Sequence, residues 1–364
     1  MNTAAAVREV APAFDNARAE AFIGKFLGAM NSAAMILMTS VGHRTGLFDA
    51  LAKASPCTSA ELAEVSGQSE RYVREWLSVL ATSGVVDYEP ATRRFTLPVE
   101  HAGWLTRAAA PNNVAANAQF ISVIAAVEDE IVEHFHDGHG VHYHEYGRFH
   151  EVMGEHTGQN IVMNLIDKVL PLVDGGIAAL ERGIDVVDVG CGAGGVLLLL
   201  AEAFPQSRFT GIDLCADAYA GAEAEATRKG LTNLAFQELD ISTVGKLGDY
   251  DIVLAFDAVH DQKDPQEMLR TVRRSLKPGG TYLMVDIGGS SRLENNLDHP
   301  LGAYLYAVST MHCTPVSLAQ GGIGLGTMWG VELATDMLGM AGFSDVQMTR
   351  LPHDPFNAYF VARE

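Results

Sequence analysis

Cysteine is scarce in this chain, with four residues in 364. No two of them have the C-x-x-C spacing of redox pairs and many zinc sites. The sequence therefore gives no sign of a disulfide scaffold or a cysteine-rich metal site, and we expect reduced thiols. The four residues are Cys57, Cys191, Cys215 and Cys313.

Basic residues are also few, with 25 Lys and Arg against 45 Asp and Glu, so the net charge is −20. An acidic balance of this size disfavours nucleic acids and anionic membranes as partners. The chain also lacks an uninterrupted apolar run of membrane-spanning length, because the stretch from Ala33 to Met38 is soon broken by polar residues. The N-terminus has no apolar signal core, and we expect a cytoplasmic protein without a membrane partner.

Residues 1–110 are predicted to form a mainly helical domain. Apolar residues recur at three- and four-residue spacing over 19–51, and Thr58 and Ser69 have the character of caps before two further helices. Two strand-like pieces joined by a turn follow at 85–88 and 94–97. Helix, turn, helix and hairpin is the order of a winged helix.

Winged helices often bind DNA, and a DNA-binding surface requires a basic face. Residues 1–110 carry 10 Lys and Arg against 11 Asp and Glu. The second helix has Arg71 and Arg74, but Glu70 and Glu75 offset them. This balance favours a domain for dimerisation and pocket lining, and the chain is predicted to form a homodimer.

From Ile184 onward, strand-like and helical segments alternate, which predicts an α/β domain over 161–364 with a mostly parallel, Rossmann-like sheet of seven strands. A helical linker and pocket segment over 111–160 precedes it, and 288–330 is a long insert. Only Pro352–Pro355 joins the last two strands, which is too short for a crossover and predicts an antiparallel hairpin. The strands are predicted at Ile184–Val189, Arg208–Asp213, Leu234–Leu239, Tyr250–Phe256, Thr281–Asp286, Asp345–Leu351 and Phe356–Ala362.

A glycine-rich turn, Asp188-x-Gly190-x-Gly192-x-Gly194, follows the first of these strands and precedes an apolar helix. Glycine permits a tight turn and close approach of a ligand to the backbone, and the helix offers free N–H groups. Asp213 ends the second strand, where a carboxylate can accept both hydroxyl hydrogens of a ribose. The spacing differs from the G-x-G-x-x-G of dinucleotide sites, and a carboxylate at position 188 would repel a pyrophosphate but suit a cationic ligand.

The turn, the acids after the next strands and the terminal hairpin together resemble class I S-adenosylmethionine-dependent methyltransferases over about residues 160–364. The resemblance implies that S-adenosylmethionine is the cofactor. Asp188 and the three glycines would line its methionine and ribose portions, Asp213 would hold the ribose hydroxyls, and Leu214 would also belong to the cofactor site. Asp240 and Ile241 would flank the adenine, and Phe256 would lie beside the sulfonium.

The fourth predicted strand runs into Phe256-Asp257-Ala258-Val259-His260-Asp261. Ligands of doubly wound sheets bind at the C-terminal ends of the strands, so His260 should face the reacting centre. The His260–Asp261 pair resembles that of two-domain small-molecule O-methyltransferases, in which the histidine is a general base and a winged helix precedes the catalytic domain. A structural helix-capping pair is the alternative interpretation.

A second histidine, His312, lies in the insert. If His260 and His312 converge, two neutral imidazoles could hold a divalent metal that polarises a keto group. This segment resembles metal-dependent 2-oxo acid C-methyltransferases of the same two-domain plan. His312 as a pocket residue or as a second acid–base group is the alternative, so the catalytic set is His260, Asp261 and His312 with the metal question open.

Residues 134–156 hold seven of the 13 histidines, and we interpret this stretch as a pocket rim or a solvated loop, with metal binding as a less favoured alternative. The acceptor pocket is predicted to include Tyr146, Phe149, His150, Met311 and Trp329. The glycine-dense segment 321–330 is interpreted as a mobile lid that closes Trp329 over the acceptor.

The sequence thus predicts methyl transfer from S-adenosylmethionine to a small-molecule hydroxyl, thiol or enolate carbon. A DNA-binding regulator with a metabolite-sensing domain is the rival hypothesis from another class. A methyltransferase acting on proteins is less favoured, because two helical segments and a long insert suggest an enclosed acceptor pocket.

Overall fold

A computed structural model describes residues 14–364, so the first 13 residues of the predicted 1–110 domain lie outside the described part. The chain divides into two compact units at Thr106 and Arg107. The first unit contains four helices, a two-stranded hairpin and a further helix: α1 Asn16–Thr45, α2 Leu47–Ala54, α3 Ser59–Ser66, α4 Glu70–Thr82, β1 Asp87–Glu89, β2 Arg94–Thr96 and α5 Val99–Leu105.

The short elements of the first unit follow local signals in the sequence. Thr58 and Glu61 form a reciprocal capping box at the start of α3. Strands β1 and β2 pair antiparallel, with Tyr88 opposite Phe95. The order of helices and hairpin confirms the predicted winged helix, although the first strand begins two residues later than predicted.

Helix α1 is the exception to the compactness of the first unit. It has 30 residues, a mean hydropathy of 1.4 in its most apolar window, and none of that window is buried. By length and composition alone such a helix could cross a membrane, although polar residues interrupt its apolar runs. The exposed apolar side chains form one stripe, at four-residue spacing, that consists of Phe22, Ile23, Phe26, Leu27 and Met30.

The second unit begins with short helices and then forms the α/β domain. Its helices are α6 Val114–Asn117, α7 Gln119–Ala125, α8 Glu128–Asp137, α9 Phe149–Asn160, α10 Gly176–Arg182, α11 Gly195–Ala203, α12 Ala216–Lys229, α13 Pro265–Ser275, α14 Gly302–Val308, α15 Thr314–Ala319 and α16 Gly330–Met340. Its strands are β3 Asp185–Val189, β4 Arg208–Asp213, β5 Leu234–Glu238, β6 Tyr250–Phe256, β7 Leu276–Ile287, β8 Asp345–Thr349 and β9 Asn357–Arg363. A π-helix over Ser309–Cys313 joins α14 to α15.

The seven strands form one sheet in the order β5-β4-β3-β6-β7-β9-β8. The first five are parallel, and β9 pairs antiparallel with both β7 and β8. This confirms the predicted fold class, including the terminal hairpin. Because side chains alternate across a strand, neighbours such as Val186 and Val187 enter separate cores on the two faces of the sheet. Strand β7 begins at Leu276, five residues before its predicted start.

Candidate active site

The glycine turn lies between β3 and α11, at the C-terminal edge of the sheet. Gly190, Gly192 and Gly194 all have positive φ. A Cβ on Gly190 would come within 2.4 Å of the Ala258 Cβ, and one on Gly194 within 2.7 Å of the Ala222 Cβ. A Cβ on Gly192 would meet nothing within 4 Å. Two of these glycines therefore permit close packing, and Gly192 faces open space into which a ligand can approach the backbone.

Two carboxylates flank this turn. Asp188 is 2% exposed, and its Oδ1 has no hydrogen-bond partner among the described residues. Burial, together with the nearby Asp213, raises the pKa of Asp188 to about 7. Asp213 accepts hydrogen bonds from Gly192 N at 2.8 Å and from Cys215 N at 2.9 Å. A cationic ligand beside Asp188 would provide the missing partner, because a buried acceptor without one is costly.

The residues predicted to flank the adenine lie at the end of β5. Asp240 accepts hydrogen bonds from Ser242 N at 3.0 Å and from Lys263 Nζ at 2.5 Å. Burial opposes ionisation, but Lys263 and Ser242 keep the pKa of Asp240 below its usual value. Ile241 is buried, whereas Leu214 after β4 is 40% exposed and free to cover a flat ring. The contact of Asp240 with an adenine amino group stays a prediction.

His260 lies in the turn after β6. Phe256 is the last residue of β6, and Asp257 after it has a φ of 51°, a conformation that is unusual outside glycine. His260 is 3% exposed, and its Nδ1 lies 2.6 Å from Asp286 Oδ1 at the end of β7. This pairing leaves Nε2 available to a substrate. Asp261 Oδ1 lies 3.4 Å from Nε2. Burial disfavours the imidazolium, but Asp286 and Asp261 outweigh it and raise the pKa of His260 well above its usual value.

Two aromatic residues support this histidine through its carboxylate neighbours. Tyr143 donates a hydrogen bond from its hydroxyl to Asp261 Oδ2 at 2.9 Å. Trp329 donates from Nε1 to Asp286 Oδ1 at 3.0 Å. Burial and the Asp261 charge hold the pKa of Tyr143 well above its usual value, so Tyr143 acts as a neutral donor. Asp286, held by Trp329, therefore fixes the imidazole at Nδ1, and Asp261, held by Tyr143, lies 3.4 Å from Nε2.

His312 lies in the π-helix, within an aromatic cluster. Its ring stacks on Phe149, with centroids 3.7 Å apart, and meets Tyr146 edge-on at 4.7 Å. Burial lowers the pKa of His312 to about 4, so the ring is neutral, and its Nε2 has no hydrogen-bond partner in the described part of the chain. Tyr146 donates a hydrogen bond to Met311 O, and His150 stacks on Tyr143. The five aromatic and histidine rings form one wall near His260.

The structure brings a different set of possible metal ligands together from the predicted pair. Within residues 14–364, His260, Asp261 and Cys313 offer ligand atoms that all lie within 4.8 Å of one another, and His312 does not belong to this group. Cys313 Sγ accepts a hydrogen bond from Thr327 Oγ1 at 2.9 Å, and burial raises the pKa of its thiol to about 11. His312 Nδ1 lies 3.7 Å from the same sulfur.

The segment that was predicted to form a lid packs tightly in the structure. Trp329 is 3% exposed and packs in the core beside the sheet, and its movement over the acceptor stays a prediction. A Cβ on Gly330 would lie 2.0 Å from Ser291 N, and one on Gly322 would lie 2.4 Å from Lys263 Cα. Gly322 and Gly330 are needed here because the segment packs closely against other backbone at these two positions.

Four residues near His260 were missed as site residues at the sequence level: Tyr143, Asp257, Asp286 and Cys313. Asp257 carries a buried Oδ1 with no partner in the described structure, and burial raises the pKa of its carboxyl group well above the usual value. Asp286 could have been recognised, because it follows an apolar run and precedes Ile287-Gly288, as expected at a strand end. Nothing local marks Tyr143, which is 118 residues from its partner.

Two family models match the chain. Residues 33–107 match an Rv2258c-like winged HTH domain, and residues 180–330 match a methyltransferase domain. The ubiquinone biosynthesis O-methyltransferase of Albidiferax ferrireducens is 31% identical over 102 residues, which are 27% of this chain and 39% of that protein. The corresponding protein of Caulobacter vibrioides is 34% identical over 125 residues, or 31% and 45% of the two chains. The chain thus spans less than half the length of these two relatives.

Solved structures match across nearly the whole chain. A candidate O-methyltransferase from Nostoc punctiforme has a TM-score of 0.70 at 20% identity, covering 94% of this chain and 98% of the other. Human N-acetylserotonin methyltransferase, solved in complex with S-adenosylmethionine, has a TM-score of 0.69 at 17% identity, covering 98% and 99%. At this identity the likeness establishes the fold, and it agrees with both family models.

Proposed function

This chain has the fold of the two-domain S-adenosylmethionine-dependent methyltransferases, and we propose that it transfers a methyl group from S-adenosylmethionine to a small-molecule acceptor, with His260 as general base. The observation that carries the proposal is the position of His260. It is buried beyond the end of β6, two residues after Ala258, which packs against Gly190 of the glycine turn. The base and the donor turn are therefore parts of one packed unit.

The donor side fits a cationic ligand. The open space at Gly192, the exposed Leu214 and the unpartnered Oδ1 of Asp188 are the features that a bound S-adenosylmethionine would use. Its ammonium group would pair with Asp188, and its ribose hydroxyls would compete with the backbone N–H groups for Asp213. When bound, S-adenosylmethionine supplies a methyl group on a positively charged sulfur.

The acceptor side supplies the base. As the acceptor oxygen gains the methyl group, its proton passes to Nε2 of His260, and Asp286 at Nδ1 stabilises the resulting imidazolium. In the absence of ligands, the neighbouring carboxylates favour the protonated form of His260. A cationic donor nearby lowers that pKa, because like charges repel. Binding of the donor would thus favour the neutral imidazole that can accept the proton.

The surroundings of His260 support an aromatic or hydroxylated acceptor. Phe149, Tyr146 and His312 form an apolar, uncharged wall, whereas Asp261 and Asp286 place negative charge beside the base. Such a site suits a neutral phenol or alcohol better than a free carboxylate. A dry apolar cavity also favours a reaction that consumes the charge of the donor.

The test is a release assay for S-adenosylhomocysteine with a small panel of acceptors: a phenol, a catechol, an alkyl thiol and a 2-oxo acid. We expect turnover with a hydroxylated acceptor, loss of that turnover in His260→Gln, and retention in His136→Gln, which changes an exposed histidine. Equal turnover in the His260→Gln variant would exclude the proposed base.

The convergence of His260, Asp261 and Cys313 favours a second candidate, a metal-dependent C-methyltransferase acting on a 2-oxo acid. One imidazole, one carboxylate and one thiolate form a donor set suited to a divalent ion such as Zn²⁺, and the unpartnered Oδ1 of Asp261 fits a missing ligand. Such an ion would offset the negative charge that disfavours a carboxylate substrate. Stoichiometric metal in purified protein, lost in Cys313→Ala and His260→Ala, together with turnover of the 2-oxo acid alone, would favour this candidate.

A homodimer is proposed on the basis of helix α1. Its stripe of Phe22, Ile23, Phe26, Leu27 and Met30 is exposed in the described chain. A continuous apolar face of this kind marks an interaction site. A second copy of the chain is the partner we propose, because a winged helix without net positive charge is better suited to dimerisation than to DNA. Sequence-selective DNA binding in a gel-shift experiment at physiological salt would contradict the inference that the winged helix serves dimerisation and not DNA binding.

A further inference from the structure

The histidine-rich stretch contains a cluster at the C-terminal end of α8 that is separate from the proposed catalytic residues. His134 and Asp137 lie in the last turn of the helix, and Gly138 ends it with a φ of 72°. This left-handed residue turns the chain back, so that His139 approaches the same turn of helix. His134, Asp137 and His139 are called the outer cluster below.

The outer cluster is organised around one carboxylate. Asp137 Oδ1 lies 3.0 Å from His134 Nδ1, and its Oδ2 lies 3.1 Å from His139 Nδ1. His139 N also donates to Asp137 Oδ1 at 2.9 Å. The three ligand atoms lie within 4.8 Å of one another, and the two ring centroids are 6.2 Å apart. The backbone hydrogen bond fixes the carboxylate, so the two imidazoles meet it in a defined arrangement.

The chemistry of the outer cluster suits a borderline transition metal. Two imidazole nitrogens and one carboxylate oxygen are ligands that Zn²⁺ and its neighbours take, whereas Ca²⁺ and Mg²⁺ prefer oxygen alone. The hydrogen bonds from His139 keep the pKa of Asp137 below its usual value, so the carboxylate is ionised. The side chains of Asp137 and His139 are 47% and 76% exposed, which leaves a path for the ion and room for water ligands.

The field around the outer cluster is also favourable. Helix α8 carries Glu128, Asp129, Glu130 and Glu133, and it contains no Lys or Arg. Glu130 lies one turn before His134, and Glu133 one turn before Asp137. A divalent cation would gain from these charges and from the C-terminal end of the helix dipole. The helix therefore attracts a cation to the end at which the ligands converge.

We propose that His134, Asp137 and His139 form a surface binding site for a divalent transition metal of the Zn²⁺ class, with water completing its coordination. This site does not depend on the proposed methyl transfer. It is formed by a short segment of the chain and shares no residue with His260, Asp261 and Cys313.

The metal would fix the start of the segment that carries Tyr143. After His139, Gly140 packs so closely on α15 that a Cβ there would lie 1.9 Å from Pro315 O. Val141 is then buried, and Tyr143 reaches Asp261. Ligation at His139 would anchor the free end of this packed segment, so occupancy should slow amide exchange over residues 138–143.

Isothermal titration of the metal-free full-length chain with ZnCl₂ tests the proposal. The informative variant is His134→Ala/His139→Ala, and the matched control is His136→Ala/His144→Ala, which removes two exposed histidines from the same stretch. We expect the first variant to lose one equivalent of bound Zn²⁺ relative to wild type and the control to keep it. Asp137→Asn, which leaves both imidazoles in place, should weaken Zn²⁺ binding at this site, because a neutral amide replaces an ionised carboxylate ligand.

Two results of this titration would overturn the proposal. Unchanged stoichiometry and affinity in His134→Ala/His139→Ala would overturn the proposal, as would an equal loss in the control, which would indicate non-specific binding by scattered histidines. Cys313→Ala reports separately on any metal near His260. Because calorimetry measures binding and not turnover, a failure of the proposed function would leave this result unaffected.

Discussion

Replacing Asp188 by asparagine tests the electrostatics of the donor turn. In the folded chain the pKa of Asp188 is about 7, against a usual value of 3.8, because the carboxyl group is buried. Each unit of pKa difference corresponds to about 1.4 kcal/mol, so the protonated form of Asp188 contributes about 4 kcal/mol to the free energy of unfolding relative to the ionised form. A raised pKa in the folded state means that folding favours the protonated form. The stabilisation is complete below pH 3.8 and is lost as the pH rises to about 7.

The stability of the wild-type chain should therefore include a contribution from Asp188 that falls by about 2.5 kcal/mol between about pH 5 and about pH 7.5. The amide side chain of the Asp188→Asn variant stays neutral, so the variant should lack this pH-dependent contribution. Urea unfolding followed by circular dichroism at the two pH values, without S-adenosylmethionine, measures it. Asp298→Asn, which changes an exposed aspartate, is the control and should behave as wild type.

Donor binding should show the reverse dependence on pH. An ammonium group beside Asp188 stabilises its ionised form, so wild-type affinity for S-adenosylmethionine should rise by up to about tenfold per pH unit until about pH 7. The Asp188→Asn variant should bind more weakly and with a flatter pH profile. Identical pH profiles of stability and of binding in wild type and variant would refute the argument.

Two further predictions concern the segment before the sheet and helix α1. Tyr143→Phe removes the hydrogen bond to Asp261, so the negative charge of that carboxylate raises the pKa of His260 further. The pH at which turnover reaches half its maximum should therefore shift upward. A purely structural role of Tyr143 would instead lower turnover equally at all pH values. Phe22→Glu/Phe26→Glu places charges on the exposed stripe of α1 and should convert a dimer into a monomer in light scattering, while Val65→Glu, at another exposed apolar position of the first unit, should remain dimeric. A monomeric wild type would contradict the proposed homodimer.

The strands of the parallel sheet were predictable because each is a short apolar run that ends in a polar or glycine residue. Strand β7 was predicted too short, since Pro278, Gly279 and Gly280 resemble a turn. In the structure, Leu276 pairs with Tyr250 across an irregularity in register, and the strand includes these residues. Pairing with a neighbour thus overrode the local preference, which a sequence pattern alone does not contain.

The candidate site likewise combines features that a local sequence pattern predicts with features that depend on distant residues. The glycine turn and the His260–Asp261 pair stand at strand ends and are visible as local patterns. No local pattern shows whether His312 or Cys313 lies beside His260 and Asp261. That depends on how the helix that carries them is wound, and in the structure this segment is a π-helix. The glycine-dense segment before α16 was interpreted as mobile because glycine frees the backbone. Its tight packing depends on distant residues such as Ser291.

The central claim is that His260 takes the acceptor proton during methyl transfer. The most direct measurement compares wild type and His260→Gln with one hydroxylated acceptor, recording turnover and S-adenosylmethionine affinity in the same preparation. The account predicts a loss of turnover of about 10²–10⁴-fold, the range typical of a general base, with donor affinity nearly unchanged. Wild-type turnover in the variant, or a loss explained entirely by weaker donor binding, would contradict it.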